Sequence, residues 1–428
     1  MSISTLYKRI WSCGFVIAVI VGVIFRTIWL SDMEYKGDER WLFEKTQEFS
    51  KTGHIPTLGM KSSAGILNPG MSVWVFIVLS KLFQVIDPPE LARAVQITNI
   101  VTILLLPLFI SYCIDSSERE PWFWSLALVC VNPLSVLFHR KIWSPSVFPI
   151  FTLTMFFGWW CRSSPWGAFL WGLTGACLGQ IQLAGFFFTA GFLIWTLLFE
   201  RNSVRWIYWL LGSLLGSISL IPWLVFTLQS SRPVRRPYID LSFYRHWFNM
   251  SLGLDLKYSL GKDYFDFLSQ PTVAGKPIYL VAALLIATIC LFTFILFRFI
   301  RQVSKEQPLS FNYLIGRLSN STLAIGAAFL GYGILLTVWV APVYLHYLII
   351  LFNLPQLWLA WMAWFSSYNR PQYRRVSRLL LTLMCICQAL LTMSFLNFIH
   401  EKQIIQGGYG TTYQTQQMIH NKIPSLLP

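Results

Sequence analysis

The sequence predicts an all-α polytopic membrane protein, on the basis of its composition, its apolar runs and the placement of its basic residues. Of 428 residues, 55% are hydrophobic and 12% are charged, whereas soluble domains carry about 25% charged residues. Apolar runs of about 20 residues, enough to cross a hydrocarbon core of about 30 Å, recur from end to end. Because backbone groups in lipid must pair within their own segment, we expect these runs to be α-helices.

The first elements are a span and a long polar loop. The run Ile10–Leu30 follows Lys8 and Arg9 and is longer than the apolar core of a signal peptide, so we interpret it as a retained first span. In the loop after it, Asp38–Lys51 predicts a short helix that Asp38 can cap and Gly53 can end. The next apolar stretch, 69–86, either crosses the membrane or lies along its surface.

The distribution of Arg and Lys favours a 69–86 segment that does not cross. The short basic loops around 201–205, 298–317 and 370–378 then all face the cytoplasm, as the positive-inside rule requires. This arrangement has about eleven spans, a cytoplasmic N-terminus, a non-cytoplasmic C-terminus and outer loops at about 31–94 and 229–277. The spans are predicted at 10–30, 95–114, 122–138, 147–160, 168–183, 186–199, 206–228, 278–299, 322–340, 347–365 and 379–399.

Charge, cysteines and motifs exclude several classes of protein. The net charge of +15 follows from the orientation of membrane spans and does not indicate nucleic-acid binding. The eight cysteines lie in or beside apolar runs and form no CxxC pair, so no disulfide framework or zinc site is expected. Walker, HExxH and Rossmann motifs are missing from the sequence. Residues 1–428 are interpreted as one membrane domain.

Asp38 and Glu39 are the acids best placed for catalysis. A carboxylate near the membrane interface can become more basic and accept a proton from a hydroxyl or an amine. The same two acids also suit the positive end of a helix. Their spacing supports both roles equally.

Basic and aromatic groups on the predicted outer side could hold a phosphate. Arginine forks suit phosphate because they form paired hydrogen bonds. Solvated loops and interfacial anchors also explain these residues and are the commoner case for each group outside the second long loop, taken alone. The candidates are Lys61, Arg140, Lys141, Arg235, Arg236, Arg245, His346 and Tyr347.

Four stretches together resemble the GT-C superfamily of integral membrane glycosyltransferases, over residues 1 to about 365. They are "GDERWLFEKTQEFSKTGHIPTLGMKSSAGILNPG", "FHRKIWSPS", "GQIQLAGFF" and "PVYLHYLIILFNLP". The likeness is to the branch that holds the protein O-mannosyltransferases and the bacterial lipid A aminoarabinose transferase.

The resemblance implies a large outer cavity, a polyprenyl-phosphate sugar donor and inversion at the anomeric carbon. It assigns the general base to Asp38, with Glu39 beside it, and a phosphate or acceptor contact to Lys61. Arg140 matches the arginine that commonly ends a span in the family. His346 and Tyr347 match positions where the family often has Arg-Tyr or His-Tyr. Many relatives carry an acid shortly after the arginine, but this chain reads "RKIWSPS", so no metal and no cofactor are expected.

The sequence therefore predicts a hexosyl- or pentosyltransferase of the plasma (inner) membrane. It would move a sugar from a polyprenyl-phosphate donor to a lipid, glycan or protein acceptor on the non-cytoplasmic face. Two alternatives stay open at this stage. One is a non-catalytic flippase or carrier of lipid-linked glycans, and the other is a degenerate member of a glycan-assembly complex.

Overall fold

The protein is an all-α membrane protein in its computed structural model, which describes residues 3–62, 65–230, 239–304, 319–338, 342–365 and 371–422. The helices are α1 Ile3–Thr27, α2 Gly37–Thr52, α3 Met71–Leu82, α4 Pro88–Cys113, α5 Arg119–Val131, α6 Pro133–Phe138, α7 Phe148–Trp160, α8 Pro165–Ile181, α9 Ala184–Phe199, α10 Trp206–Ser217, α11 Ile221–Gln229, α12 Ser242–Leu252, α13 Lys257–Leu260, α14 Tyr264–Ser269, α15 Leu280–Val303, α16 Asn320–Gly326, α17 Gly333–Thr337, α18 Leu354–Phe365, α19 Pro371–Lys402 and α20 Tyr413–Lys422.

Short elements complete the described chain. A π-helical turn, Ala327–Tyr332, joins α16 to α17. Two antiparallel strand pairs are β1 Leu58–Lys61 with β2 Leu67–Pro69, and β3 Thr272–Val273 with β4 Lys276–Pro277. The 3₁₀ segments are Leu30–Asp32, Ser144–Val147, Arg201–Ser203, Ile218–Leu220, Gly261–Asp263 and Leu345–Leu351.

Helix α2 confirms the helix predicted in the first long loop, but its cap differs from the prediction. The residue that precedes the helix is Lys36, and the Glu39 carboxylate accepts a hydrogen bond from its backbone N–H at 3.1 Å. Asp38, at the second helical position, is therefore not the cap. Gly53 ends the helix in the left-handed region with φ 70°, as predicted, because glycine has no Cβ to oppose that conformation.

The apolar stretch at 69–86 forms only the 12-residue helix α3. At a rise of 1.5 Å per residue it is about 18 Å long, which is shorter than the hydrocarbon core. Val73 and Phe76 are fully buried in the protein. The length of α3 is thus that of a helix that lies along the membrane surface. The distribution of Arg and Lys favours the same placement of this segment.

The prediction of eleven spans exceeds what helix length and composition support. Among the described residues, five helices are long and apolar enough to cross a membrane, or six if the pair Leu345–Leu351 and Leu354–Phe365, bent by 71°, is one span. Several other predicted spans coincide with shorter or broken helices. The run at 122–138, for example, breaks at Asn132, because Pro133 cannot continue the backbone hydrogen bonds of α5.

The long tryptophan-rich helices pack closely where glycines face each other. A Cβ on Gly172 would lie 2.1 Å from the Trp209 carbonyl oxygen, and a Cβ on Gly212 would lie 2.0 Å from the Phe169 carbonyl oxygen. Only glycine allows α8 and α10 this approach, as in many membrane helix pairs.

Described parts of several loops predicted to be cytoplasmic lie together at one end of the bundle. The Arg378 guanidinium pairs with Glu120 at 2.6 Å, and Arg162 pairs with Glu200 at 3.5 Å. Arg162 also donates to Asn320, which links this group to the start of α16.

The loops predicted to be external lie together at a second end, and the C-terminal segment joins them. His400 Nδ1 lies 2.7 Å from the Asp32 carboxylate. The Lys262 N–H donates to the Gln406 carbonyl, and the Tyr413 N–H donates to the Met33 carbonyl. We call residues 403–412 the C-terminal strap, since it ties the first long loop to the second.

Candidate functional site

The strap and both long loops surround a cavity of about 910 Å³. This volume is within the range of about 300–1,000 Å³ typical of ligand sites. Its walls combine charged groups with aromatic and aliphatic side chains. The charged and imidazole groups are Glu34, Lys36, Asp38, Glu39, Lys141, Asp240, Arg245, His246, Asp255 and His346, and the apolar groups include Leu134, Leu137, Phe138, Trp143, Val343, Tyr344 and Leu345.

Asp38 is an exposed carboxylate that faces this cavity. Its position at the start of α2 directs it away from the hydrogen bonds that fix the helix. No hydrogen bond or ion pair to its side chain occurs within the described parts of the chain. Asp38 therefore has its oxygens available to accept a proton or a hydrogen bond from a ligand.

Glu39 has a different environment from its neighbour. It is 2% exposed, accepts from the Lys36 N–H and lies 3.6 Å from the Lys141 ammonium. Burial raises the pKa of its carboxyl, against the opposing effect of Lys141. These contacts give Glu39 a structural role at the start of α2, which differs from the catalytic role considered from the sequence.

Lys141 is buried between acids and is not a free cation. Its Nζ lies 2.7 Å from Glu34 Oε2, and the other Glu34 oxygen lies 2.5 Å from Lys36 Nζ. Burial opposes its charge, but Glu34 and Glu39 outweigh that effect and raise the pKa of Lys141. The ammonium also lies 4.7 Å from the centre of the Trp143 ring. A role in holding the donor phosphate, predicted from the sequence, does not fit a charge that is already balanced.

Glu34 was missed by the sequence reasoning. It is 5% exposed and is the acid that contacts both Lys36 and Lys141. Nothing in the spacing of the first loop distinguishes it from a solvated glutamate. Its partner Lys141 becomes apparent only in the folded chain, where the turn at 139–143 approaches the first loop.

Arg140, predicted from the sequence as a phosphate ligand, lies outside the lining of this cavity. The guanidinium is buried and donates to three backbone carbonyls near the end of α1, those of Phe25 at 2.6 Å, Ile28 at 2.7 Å and Trp29 at 3.0 Å. The last carbonyls of a helix have no partner within it, so Arg140 satisfies them. The preceding His139 accepts from the buried Arg26 in the same region.

Replacement of Arg140 with Ala should therefore lower stability. It leaves buried carbonyls without a donor, and we expect a loss of about 3 kcal/mol or more in the free energy of unfolding. The thermal melting temperature in detergent measures this. Arg93→Ala, which removes an exposed arginine of α4, is the control and should change stability by less than about 0.5 kcal/mol. Equal melting temperatures for the two variants would show that the Arg140 contacts do not stabilise the fold.

The second long loop contributes Arg245 and His246 from α12. Arg245 is exposed and lines the cavity, with no ion pair or hydrogen bond found among the described residues. The buried His246 is 3.2 Å from the Val343 carbonyl oxygen and 3.8 Å from the Asp255 carboxylate. Burial lowers the pKa of His246, as does Arg245, so the imidazole is neutral near pH 7. Arg245 is thus the cation of this wall that stays available to a ligand.

Carboxylates on the same wall are held by amide groups. Asp240 accepts from the Ser242 N–H at 2.9 Å and from the Val343 N–H at 2.8 Å. Asp255 accepts from the Asn249 amide at 3.1 Å. Neither acid forms a salt bridge with Arg245 within the described chain, although both line the same cavity.

Aromatic rings form a continuous surface between these walls. The rings of Tyr344 and His346 stack with centroids 5.6 Å apart, and Trp143 lies 4.9 Å from His346. The adjoining Tyr347 is buried, and its carbonyl accepts from the Tyr332 hydroxyl at 2.8 Å. The structure thus brings His346 into the cavity lining and leaves Tyr347 behind it.

The remaining predicted phosphate ligands do not join this group. Lys61 is exposed at the end of β1 and is not part of the cavity lining. Arg235 and Arg236 lie outside the described residues. Within the described ranges, no three His, Cys, Asp or Glu residues are grouped so that they could hold a metal ion.

Comparison with solved structures shows a likeness in fold. No protein family matches the sequence. No curated protein matches it either. The chain is similar to the crystal structure of the oligosaccharyltransferase of Archaeoglobus fulgidus in the apo form, with 13% sequence identity and a TM-score of 0.48. The similarity covers 94% of this chain and 57% of that chain, so this chain spans a little over half the length of the archaeal protein. Fold and site together define an all-α membrane protein with a charged, aromatic-lined cavity.

Proposed function

We propose that this protein is a glycosyltransferase that moves a sugar from a polyprenyl-phosphate donor to an acceptor on the non-cytoplasmic face of the plasma membrane. The cavity would face outward, with the N-terminus in the cytoplasm, the C-terminus outside and about eleven passes through the membrane if the shorter and broken helices cross it as well. The acceptor is a lipid, a glycan or a protein that presents a hydroxyl or an amine. The GT-C branch resembled by the first loop has this chemistry.

One observation carries the proposal: Asp38 and Arg245 are a carboxylate and a guanidinium on the lining of one cavity, and their side chains form no hydrogen bond or salt bridge within the described chain. The lysines of that lining are balanced by acids, since Lys36 and Lys141 both pair with Glu34. A base and an anion-binding group in one enclosed site are what sugar transfer from a phosphate requires.

The reaction is a single displacement. The acceptor oxygen or nitrogen attacks the anomeric carbon and forms the new glycosidic bond, while the bond from that carbon to the phosphate oxygen breaks. Asp38 takes the acceptor proton. The bonding electrons leave with the polyprenyl phosphate, and Arg245 stabilises the charge that develops there. Attack opposite the leaving group inverts the anomeric configuration.

The apolar part of the lining suits a lipid-linked donor. Leu134, Leu137 and Phe138 lie in the short helix α6 and reach the same cavity as Asp38. Polyprenyl chains are hydrocarbon, so they gain free energy from such contacts and from the surrounding bilayer. The aromatic rings of Trp143 and Tyr344 provide flat surfaces on which a sugar ring can stack.

Mass spectrometry of glycans and lipids from cells with and without the gene tests the proposal. We expect cells that lack the gene to lose one sugar from an outer-face glycan, lipid or protein. A flippase or carrier would instead change the membrane side on which a lipid-linked sugar accumulates. Identical glycan and lipid profiles in the two strains would contradict a transferase.

A further inference from the structure

We infer that the Lys141 ammonium occupies the position of a metal ion in the candidate site. It holds Glu34 and Glu39 together, and without it this acidic pair would bind a divalent metal ion. The observation is that the Lys141 ammonium contacts two buried carboxylates on the cavity lining, whereas the nearby Lys36 ammonium contacts only Glu34. The inference concerns the charge balance of the cavity, and it holds whether or not the protein transfers a sugar.

The geometry around Lys141 is that of a cation site. Its Nζ lies 2.7 Å from Glu34 and 3.6 Å from Glu39, and these residues are 5% and 2% exposed. Two carboxylates so close together repel each other, and burial strengthens the repulsion. A positive charge between them therefore offsets this repulsion.

The two acids approach Lys141 from different parts of the first loop. Glu34 precedes α2, where its backbone pairs with Thr412 of the C-terminal strap. Glu39 belongs to α2 and caps it through the Lys36 N–H. Lys141 thereby links the strap, the start of α2 and the turn after α6. Asp38, between these acids in sequence, is positioned by the same contacts.

Carboxylate oxygens are preferred ligands of hard divalent cations such as Mg²⁺, Ca²⁺ and Mn²⁺. The ammonium makes the native site a poor one for such an ion, because it would have to be displaced from 2.7 Å contact with Glu34. If the Lys141 ammonium is removed, Glu39 loses its salt bridge and Glu34 keeps only Lys36, so the acids and the space left by the lysine side chain should attract a metal. Loss of a lysine should thus create metal binding.

The test is Mn²⁺ binding by the purified full-length protein, measured by electron paramagnetic resonance. Wild type should bind no Mn²⁺ at this site, whereas Lys141→Ala should bind one ion per chain. The double variant Lys141→Ala with Glu34→Gln should lose that binding. We also expect the melting temperature of Lys141→Ala to fall by about 5 °C or more and to recover when Mn²⁺ is added.

Lys36→Ala is the matched control. Lys36 contacts the same Glu34 carboxylate, but its side chain is 40% exposed and its removal leaves Lys141 in place. This variant should gain no Mn²⁺ site. If Lys141→Ala does not fold, Lys141→Gln keeps the length of the side chain and the same readout applies.

Three results would overturn the inference. One is that wild type binds Mn²⁺ as tightly as Lys141→Ala does and that Glu34→Gln abolishes this binding. A folded Lys141 variant could show no more Mn²⁺ binding than Lys36→Ala. Alternatively, removal of Glu34 could leave the acquired binding unchanged.

Discussion

Replacement of Asp38 with Asn is expected to lower sugar transfer by about 10²–10⁴-fold, the range typical of a lost general base. Asn has nearly the same shape but cannot take a proton from the acceptor. Asp38 is exposed and has no partner within the described chain, so the fold should change in stability by less than about 1 kcal/mol. Transfer is measured in membranes that contain each variant, as the amount of sugar attached to the acceptor per unit of the variant protein.

Glu44→Gln is the control for this substitution. Glu44 lies in the same helix α2 and is exposed, but it is not among the residues that line the cavity. It should leave transfer within about twofold of wild type, since exposed substitutions of this kind have small effects. Full transfer by Asp38→Asn would remove Asp38 from the role of base.

Replacement of Arg245 with Ala should have the next largest effect. Loss of one preorganised donor to a developing negative charge lowers turnover by about 10²–10³-fold. Arg245→Lys keeps the charge but loses the guanidinium fork, so we expect an intermediate rate. The same glycan measurement applies, at several donor levels, to separate turnover from donor binding.

Lys257→Ala serves as the matched control for Arg245. Lys257 is an exposed cation at the start of α13, in the same outer loop, and it does not line the cavity. Its removal should leave transfer nearly unchanged. If the two alanine variants lose the same activity, sugar transfer depends on the overall positive charge of this loop. A specific contact between Arg245 and the phosphate would then be contradicted.

The sequence indicated the membrane class and much of the cavity. Asp38, Lys141, Arg245 and His346 were all predicted from separate loops, and all line it. Apolar runs and the distribution of charge could predict these cavity residues, because loops at the same end of a helix bundle lie close together. The C-terminal strap was not predicted as a wall of the site. Its contacts with the first loop, such as those of the Gln403 amide and the Tyr409 hydroxyl with Asp32, join residues far apart in the sequence and follow no motif.

The functions of the basic residues could not be separated from the sequence alone. Arg140 and Lys141 are adjacent, yet one satisfies the carbonyls at the end of α1 and the other lies between two acids. Glu34 has no motif, and its importance follows only from its burial beside Lys141. Local spacing shows which groups are present, while long-range packing decides which of them stay free for a ligand.

The amount of polyprenyl-phosphate sugar in lipid extracts tests the central claim most directly. Extracts are compared for cells that lack the gene and carry either the wild-type chain or Asp38→Asn. We predict that one such lipid accumulates without the gene, returns to a low level with wild type and stays high with Asp38→Asn. A donor pool that is the same in all three strains would contradict a transferase that consumes it.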